Sequence, residues 1–405
     1  MKTEKTSLIE DLFVAYFDAR RNKRNTINQL RFEINFEHEL FLLRDDIMNC
    51  RYEARPSICF IVENPVKREV FAADFRDRVV HHLLYNYMNP TFEEQFIEDS
   101  YSCRKNKGTL YGIKRVDSFI RQCSNNYTQN CYILKLDLES YFMSINKVIM
   151  LKKIQKMLQY GNFACNRNDM RETVDYLLQK VVFNDPRENC IIKGCRKDWE
   201  GLPSSKSLFN SNKDHGLPIG NLTSQLFSNV YLHDFDLFVK NELHVKYYGR
   251  YVDDFVLVHN DRKHLKTLIV KMNTFLGNEL QLRIHPKKIY LQDYVKGVKF
   301  LGAVVKPGRI YVANRTKHSL FRTLHETDTN MKTMTPNVKS LQDTRAIINS
   351  YLGIMSHFRT YNVRRKALLG KPHEFLHYGY LDGNLQKFKI RKNLLNPTVS
   401  NYGFI

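Results

Sequence analysis

The chain is predicted to fold as α+β, and three observations carry that prediction. Short apolar, β-rich runs end in or surround acidic residues, as in CYILKLDL (131–138) and KYYGRYVDDFVLVHN (246–260). Stretches with apolar residues at helical spacing precede and separate these runs. The last quarter of the chain is helical in pattern and strongly basic, so helices and strands are segregated rather than alternating regularly.

Taken in order, residues 1–50 read as helical, with FVAYFDARRNK and LFLLRDDIM as amphipathic pieces. Residues 51–80 read as extended, turning helical at RDRVVHHLLYNYM. Asn89-Pro90 predicts the end of that helix, because a residue before Pro disfavours α geometry. CYILKLDL suits a buried strand. KVIMLKKIQKMLQ and RETVDYLLQKVV follow as helices, and residues 184–215, rich in Asn, Asp, Gly, Ser and Pro, read as a loop. Leu226, Phe227, Val230, Tyr231, Phe235 and Phe238 recur at helical spacing. Two short strands then flank a tight turn at Asp253-Asp254. A helix over 262–279 and a hairpin at FLGAVVKPGRIYV complete a β–α–β arrangement, within a chain of helices and a mostly antiparallel small sheet. Beyond about residue 314 the pattern is helical again.

With 405 residues, 43% of them hydrophobic, the chain can bury a sizeable core in more than one domain. It carries 63 Lys+Arg against 42 Asp+Glu, a net charge of +21. Such a surplus favours polyanions, and nucleic acid above all, because each neutralised phosphate releases counterions. The excess is uneven, since residues 306–405 hold 17 Lys+Arg and 5 Asp+Glu. No apolar run reaches the ~18 residues of a spanning helix, and MKTEKTSLIEDLF lacks the apolar stretch of a secretory signal, so no membrane partner is expected. The eight cysteines (50, 59, 103, 123, 131, 165, 190, 195) form no CxxC and no zinc spacing. They are expected to be reduced and structural, in a cytoplasmic setting.

Two acidic sites stand out: Asp137 at the end of its strand, and Asp253-Asp254 between apolar strands. Adjacent carboxylates in an apolar setting are costly unless they face water or a cation. A solvated hairpin turn is one reading. The other is a cradle for divalent metal, since Mg²⁺ takes a few carboxylates plus substrate phosphates. Two ions about 4 Å apart can activate a 3′-hydroxyl and stabilise leaving pyrophosphate.

YVDD (Tyr251–Asp254) resembles the signature hairpin of reverse transcriptases. LKLDLESYF (134–142), GLPIGNLTSQ (216–225), LRIHPKK (282–288) and KFLGAVV (299–305) resemble that family's motifs A, B, D and E. SYSCRKNKG (100–108) resembles a fingers motif of group II intron and related bacterial enzymes. The motifs fall in family order over roughly residues 55–310. Group II intron enzymes have Gln where this chain has Ile219, and Pro where it has Gln225. LPIGNLTSQ, the preceding Trp199, Leu202, Pro203 and Lys206–Phe209, and INSYLGIMSHFRTYN (348–362) resemble reverse transcriptases of diversity-generating retroelements.

The resemblance implies a right-hand polymerase: fingers with a helical extension over 1–130, palm over 131–305 and a basic helical thumb over 306–405. It implies copying of a template-repeat RNA into cDNA, error-prone at template adenines. Retron, group II intron and phage-defence reverse transcriptases are the alternatives, and a catalytically silent RNA-binding protein a further one. Partners would be template RNA, the RNA–DNA duplex, dNTPs and a small basic accessory protein. Two Mg²⁺ ions, with Mn²⁺ able to substitute, would be held by Asp137, Asp253, Asp254 and the Leu138 carbonyl. Phe142, five residues after Asp137, stands at the steric-gate position that excludes a 2′-hydroxyl. Arg104 with Lys67 or Arg68 would clamp the triphosphate. Lys288, or its neighbour Lys287, would protonate pyrophosphate. Ile219 and Gly220 would lie against the nascent base pair, Ile219 lowering fidelity for want of an amide. Gln225 would cap or orient the motif B helix. No RNase H domain and no HNH cluster are expected.

Overall fold

The structure is a computed structural model that describes residues 7–21, 26–63, 66–161 and 168–394; Cys165 lies outside them. Its elements begin with α1 (Leu8–Arg20), α2 (Ile27–Ile34), α3 (Phe36–Met48), β1 (Ser57–Val62), β2 (Arg68–Ala72), α4 (Phe75–Gln95) and α5 (Thr109–Cys123). The middle of the chain gives β3 (Tyr132–Asp137), α6 (Tyr141–Ser144), α7 (Lys147–Tyr160), α8 (Asn168–Phe183), β4 (Cys190–Ile192), α9 (Leu222–Tyr231) and α10 (His233–Leu237). Then come β5 (Tyr247–Tyr251), β6 (Asp254–His259), α11 (Arg262–Leu280), β7 (Tyr290–Asp293), β8 (Val298–Phe300), β9 (Ala303–Lys306) and β10 (Arg309–Val312). The chain closes with α12 (Asn314–Thr333), α13 (Val338–Ser356), α14 (Tyr361–Leu369), β11 (Gly379–Leu381) and β12 (Phe388–Ile390).

Two compact units divide the molecule without following chain order. The first takes the described residues of 1–108, 134–257 and 262–290; the second takes those of 109–133, 258–261 and 291–405.

In the first unit α4 is the central helix, packed against α1, α7, α8 and α9. Asp74 starts it by accepting the Arg76 N–H at 3.1 Å. Val79, Val80, Leu83, Leu84, Met88 and Phe92 are fully buried along it. The helix does not end at Asn89-Pro90 as predicted; Pro90 lies inside it. A proline removes one backbone bond, and burial of Met88, Thr91 and Phe92 on either side holds the helical path across it. Strands β5, β6 and β3 lie side by side in that order. Strand β1 pairs antiparallel with β2, from Ile58 against Ala72 to Val62 against Arg68. The segment 184–215, predicted as loop, contributes β4, which runs parallel to β1 with Ser57 opposite Cys190. It also forms three short 3-10 turns, at Arg196–Trp199, Ser204–Lys206 and Leu208–Asn210.

In the second unit α12, α13 and α14 share a core of Leu320, Leu324, Ile348, Leu352, Met355 and Leu368. His373 is buried within it, one ring nitrogen 2.6 Å from Asp328 Oδ2 and the other 2.7 Å from the Ala367 carbonyl. The predicted hairpin is present as β9 and β10, with Arg309 opposite Lys306, and β8 adds a third strand. The helical prediction past residue 314 missed the β11–β12 hairpin, whose three-residue strands are too short to show alternation.

Candidate active site

Strand β5 ends at Tyr251 and β6 begins at Asp254, so Val252 and Asp253 form the turn. Val252 sits at φ +55°, a left-handed conformation that β-branched residues rarely adopt. Arg250 holds it there, its Nη1 donating to the Val252 carbonyl at 3.2 Å. The guanidinium also bonds Asp236, with Nη2 at 2.6 Å and Nε at 2.8 Å, and both side chains are 0% exposed. Tyr248 adds its hydroxyl to Asp236 at 2.6 Å, and Ser100 Oγ accepts a further bond from Arg250 at 3.2 Å. The Arg250 backbone is gripped by the 99–101 segment, donating to the Asp99 carbonyl at 2.8 Å and accepting the Tyr101 N–H at 2.9 Å. Gly249 is required beside it, because a Cβ there would lie 2.1 Å from the Tyr101 hydroxyl. The turn is therefore set on a fully satisfied polar floor.

Asp137 comes to the same place from β3. Its carbonyl accepts the His285 N–H at 2.8 Å, and Glu139 N–H donates to the Arg283 carbonyl at 2.9 Å. These bonds flank the antiparallel bridge of Leu138 with Ile284, so the N–H and C=O of Leu138 face the other way. There the Leu138 N–H meets the Asp253 carbonyl at 3.3 Å.

The three carboxylates are unequally matched. Lys288 Nζ lies 2.6 Å from Asp137 Oδ1. Lys135 Nζ stands 3.0 Å from Asp254 Oδ1, an ion pair across neighbouring strands. No Lys, Arg or His among the described residues pairs with Asp253. Asp253 is half-buried. Burial first, then the charges of Asp137 and Asp254, push its pKa up to about 7, against the pull of its own backbone N–H and of Lys288. Burial likewise raises Asp254, with Lys135 opposing.

This donor set fits a hard divalent cation: oxygen ligands only, and an excess of negative charge at Asp253 that a cation would relieve. Among the described residues no three His, Cys, Asp or Glu side chains close on one point. Substrate phosphate and water would have to complete any coordination, as Mg²⁺ prefers.

Residues 67–305, more than half of the chain, match the family described as reverse transcriptase (RNA-dependent DNA polymerase). The chain belongs to the reverse transcriptase family. It is an RNA-directed DNA polymerase, and its helices and mostly antiparallel strands give the α+β class that the sequence predicts. It is similar to Protein YkfC of Escherichia coli (strain K12), 23% identical over 314 residues that cover 68% of this chain and 73% of that one. Among solved structures it resembles apo telomerase from Candida tropicalis truncated of its C-terminal domain, with TM-score 0.43, 10% identity and 63% of this chain covered. Telomerase of Candida albicans with a fragment of telomeric RNA gives TM-score 0.42, 10% identity and 85% coverage. The chain spans 55% and 63% of those two telomerase chains.

The reverse transcriptase brings only some of the predicted substrate residues to this site. Arg68 is exposed on β2, without a side-chain partner among the described residues, and its charge acts on Tyr251 of the turn. Lys67 is instead committed elsewhere, donating to the Glu200 carbonyl at 2.7 Å and pairing with Glu63 at 3.0 Å. Arg104 is also corrected: its side chain is 6% exposed and bonds Glu93 at 2.8 Å, the Ile97 carbonyl at 2.6 Å and the Ser100 carbonyl at 3.0 Å. A guanidinium used to close the end of α4 is not presented to a triphosphate. Lys288, not Lys287, faces Asp137; Lys287 gives only its backbone N–H to His285, at 3.2 Å. Phe142 is half-buried, its carbonyl accepting the Leu217 N–H at 2.8 Å. Ile219 is half-buried, its carbonyl held by the Phe71 N–H at 2.9 Å. Gly220, at φ +125°, has no room for a Cβ, which would lie 2.8 Å from Val70 Cγ1. Gln225 does not cap the motif B helix. Asn221 occupies the N-cap position of α9, and Gln225 is exposed one turn in, accepting the Cys103 thiol at 3.3 Å.

Sequence reasoning missed Lys135, Arg250 with Asp236, and Glu69. Lys135 was legible as the residue two before Asp137, hence on the same strand face. Arg250 was legible as a charge inside an apolar strand, which demands a buried acid.

Proposed function

We propose that this reverse transcriptase copies a template-repeat RNA into cDNA for a diversity-generating retroelement, with errors concentrated at template adenines. The observation that carries the reading is Ile219. Its carbonyl is held against β2 by the Phe71 N–H at 2.9 Å, which supports a reading in which its aliphatic side chain would stand where an amide would otherwise contact the nascent pair. Losing such a contact removes on the order of a kcal/mol of discrimination, or several-fold in error rate.

Asp137, Asp253 and the Leu138 carbonyl would hold two Mg²⁺ ions, with Asp254 as the supporting acid and Mn²⁺ able to substitute. When bound, the ions activate the 3′-hydroxyl and neutralise the leaving pyrophosphate. Arg68 would bind the triphosphate by charge-assisted hydrogen bonds. Phe142 would lie under the sugar and exclude a 2′-hydroxyl. Lys288, its Nζ 2.6 Å from Asp137, would donate a proton to a pyrophosphate oxygen. Fingers (1–130), palm (131–305) and thumb (306–405) divide the work, the basic thumb tracking the RNA–DNA duplex through its backbone. A small basic accessory protein would deliver the template RNA.

Primer extension on RNA with dNTPs and Mg²⁺, followed by cDNA sequencing, tests the reading. Errors clustered at template adenines, reduced several-fold in Ile219→Gln, are expected. Accurate cDNA from the unmodified enzyme, with cognate RNA and accessory protein supplied, rejects it in favour of a retron-, intron- or defence-type enzyme.

A further inference from the structure

We propose that Glu69 is a positioning residue for dNTP selection, acting through a clasp formed by residues 199–220. Strand β2 alternates: Arg68 and Val70 face one way, while Glu69 and Phe71 are buried on the other side. Behind that side, Phe71 packs with Cys59 and Leu208, flanked by Met143, Cys190 and Trp199. Glu69 is only 1% exposed. Its Oε2 accepts Trp199 Nε1–H at 2.6 Å and the Ser207 hydroxyl at 2.7 Å; its Oε1 accepts the Leu208 N–H at 2.6 Å. No cation among the described residues pairs with it. A carboxylate buried on neutral donors alone is tolerable only while every donor stays in place, so strand and segment fix each other.

The segment then carries that fixed point to the substrate residues. After Leu208 the chain ties Gly216 N–H to the Ile145 carbonyl at 2.9 Å and Leu217 N–H to the Phe142 carbonyl at 2.8 Å. It returns to β2 where the Ile219 carbonyl accepts the Phe71 N–H at 2.9 Å. Lys67 Nζ on the Glu200 carbonyl, at 2.7 Å, closes the same loop from outside. One continuous segment thus spaces Arg68, Phe142 and Ile219, with Glu69 as its anchor on β2. The inference rests on the reading of those three residues as the dNTP contacts.

Glutamine at position 69 keeps the size but offers one acceptor oxygen and turns an NH₂ toward a donor, so at least one bond of the three is lost. In Glu69→Gln we expect the KM for dNTPs to rise about tenfold and the preference for dNTP over rNTP to fall about tenfold, with kcat within about threefold. Trp199→Phe removes a single hydrogen bond while keeping a ring, and should shift both quantities the same way by about threefold. A merely structural role would lower the melting temperature and leave the KM and the sugar preference untouched. That pattern in folded Glu69→Gln overturns the proposal; should Glu69→Gln not fold, the same pattern in Trp199→Phe does so. Phe142→Ala, measured in parallel, separates the two claims. If it loses sugar preference while the clasp variants keep theirs, the clasp alone fails; if it does not, the pocket assignment fails and the clasp with it.

Discussion

Asp236 and Asp253 serve the same hairpin and are treated in opposite ways. Asp236 is fully buried, and Arg250 and Tyr248 meet it at 2.6–2.8 Å. Asp253 is half-buried beside two other carboxylates, has no cationic partner among the described residues, and is pushed up to about 7. A buried charge whose partners are all present belongs to the scaffold. A buried charge left in excess marks where the protein expects something from outside. The contrast separates the residues that hold the turn from those that use it.

Asp253→Asn removes the charge that the turn leaves unmatched. cDNA synthesis should fall by at least about a thousandfold in primer extension, while the melting temperature stays level or rises, because a like-charge conflict is removed. A large loss of stability would mean that Asp253 is scaffold after all. Asp236→Asn attacks the other end and should cost about 3–5 kcal/mol in denaturant unfolding by stranding Arg250. Unfolding within 1 kcal/mol of the parent would erase the distinction (about 1 kcal/mol is the ordinary point-mutation effect).

Lys288→Ala sharpens the site itself, with single-turnover rates expected to drop about a hundredfold against less than about twofold for Lys287→Ala. Equal effects would remove the preference for Lys288. The smallest effect concerns a buried base away from the turn. Burial, with the neighbouring charges of His82 and Arg78, pushes His81 down to about 3, so the folded state keeps it neutral. The stability it contributes is complete above the ordinary histidine value and declines as pH falls toward 3, because only the unfolded chain takes the proton. Between neutrality and pH 5 that amounts to about 2 kcal/mol, and His81→Leu should flatten this part of the stability–pH curve. An unchanged slope would show that His81 is already charged in the fold.

Much of the site was legible in the sequence, because Asp137 ends a strand, Asp253 sits in a hairpin turn and Asp254 begins the next strand, and strand period and turn are local properties. The helices of the first fifty residues and the hairpins around residues 253 and 307 were legible for the same reason. What escaped depends on partners distant in the chain. Arg104 and Lys67 have the charge of triphosphate ligands, but Glu93 and the Glu200 carbonyl claim them. Glu69 sits in an ordinary-looking strand, and only the fold brings Trp199, Ser207 and Leu208 to it. Pro90 inside α4 shows burial overriding a local rule.

Val252 keeps its place in the turn at a cost in stability. At φ +55° the backbone favours glycine or asparagine, and a branched side chain there costs on the order of 1–3 kcal/mol. Among all substitutions at this position, those two should therefore yield the more heat-resistant protein. Selection for durability and selection for the signature sequence pull in different directions at a single residue, so thermal screening alone would drift away from it.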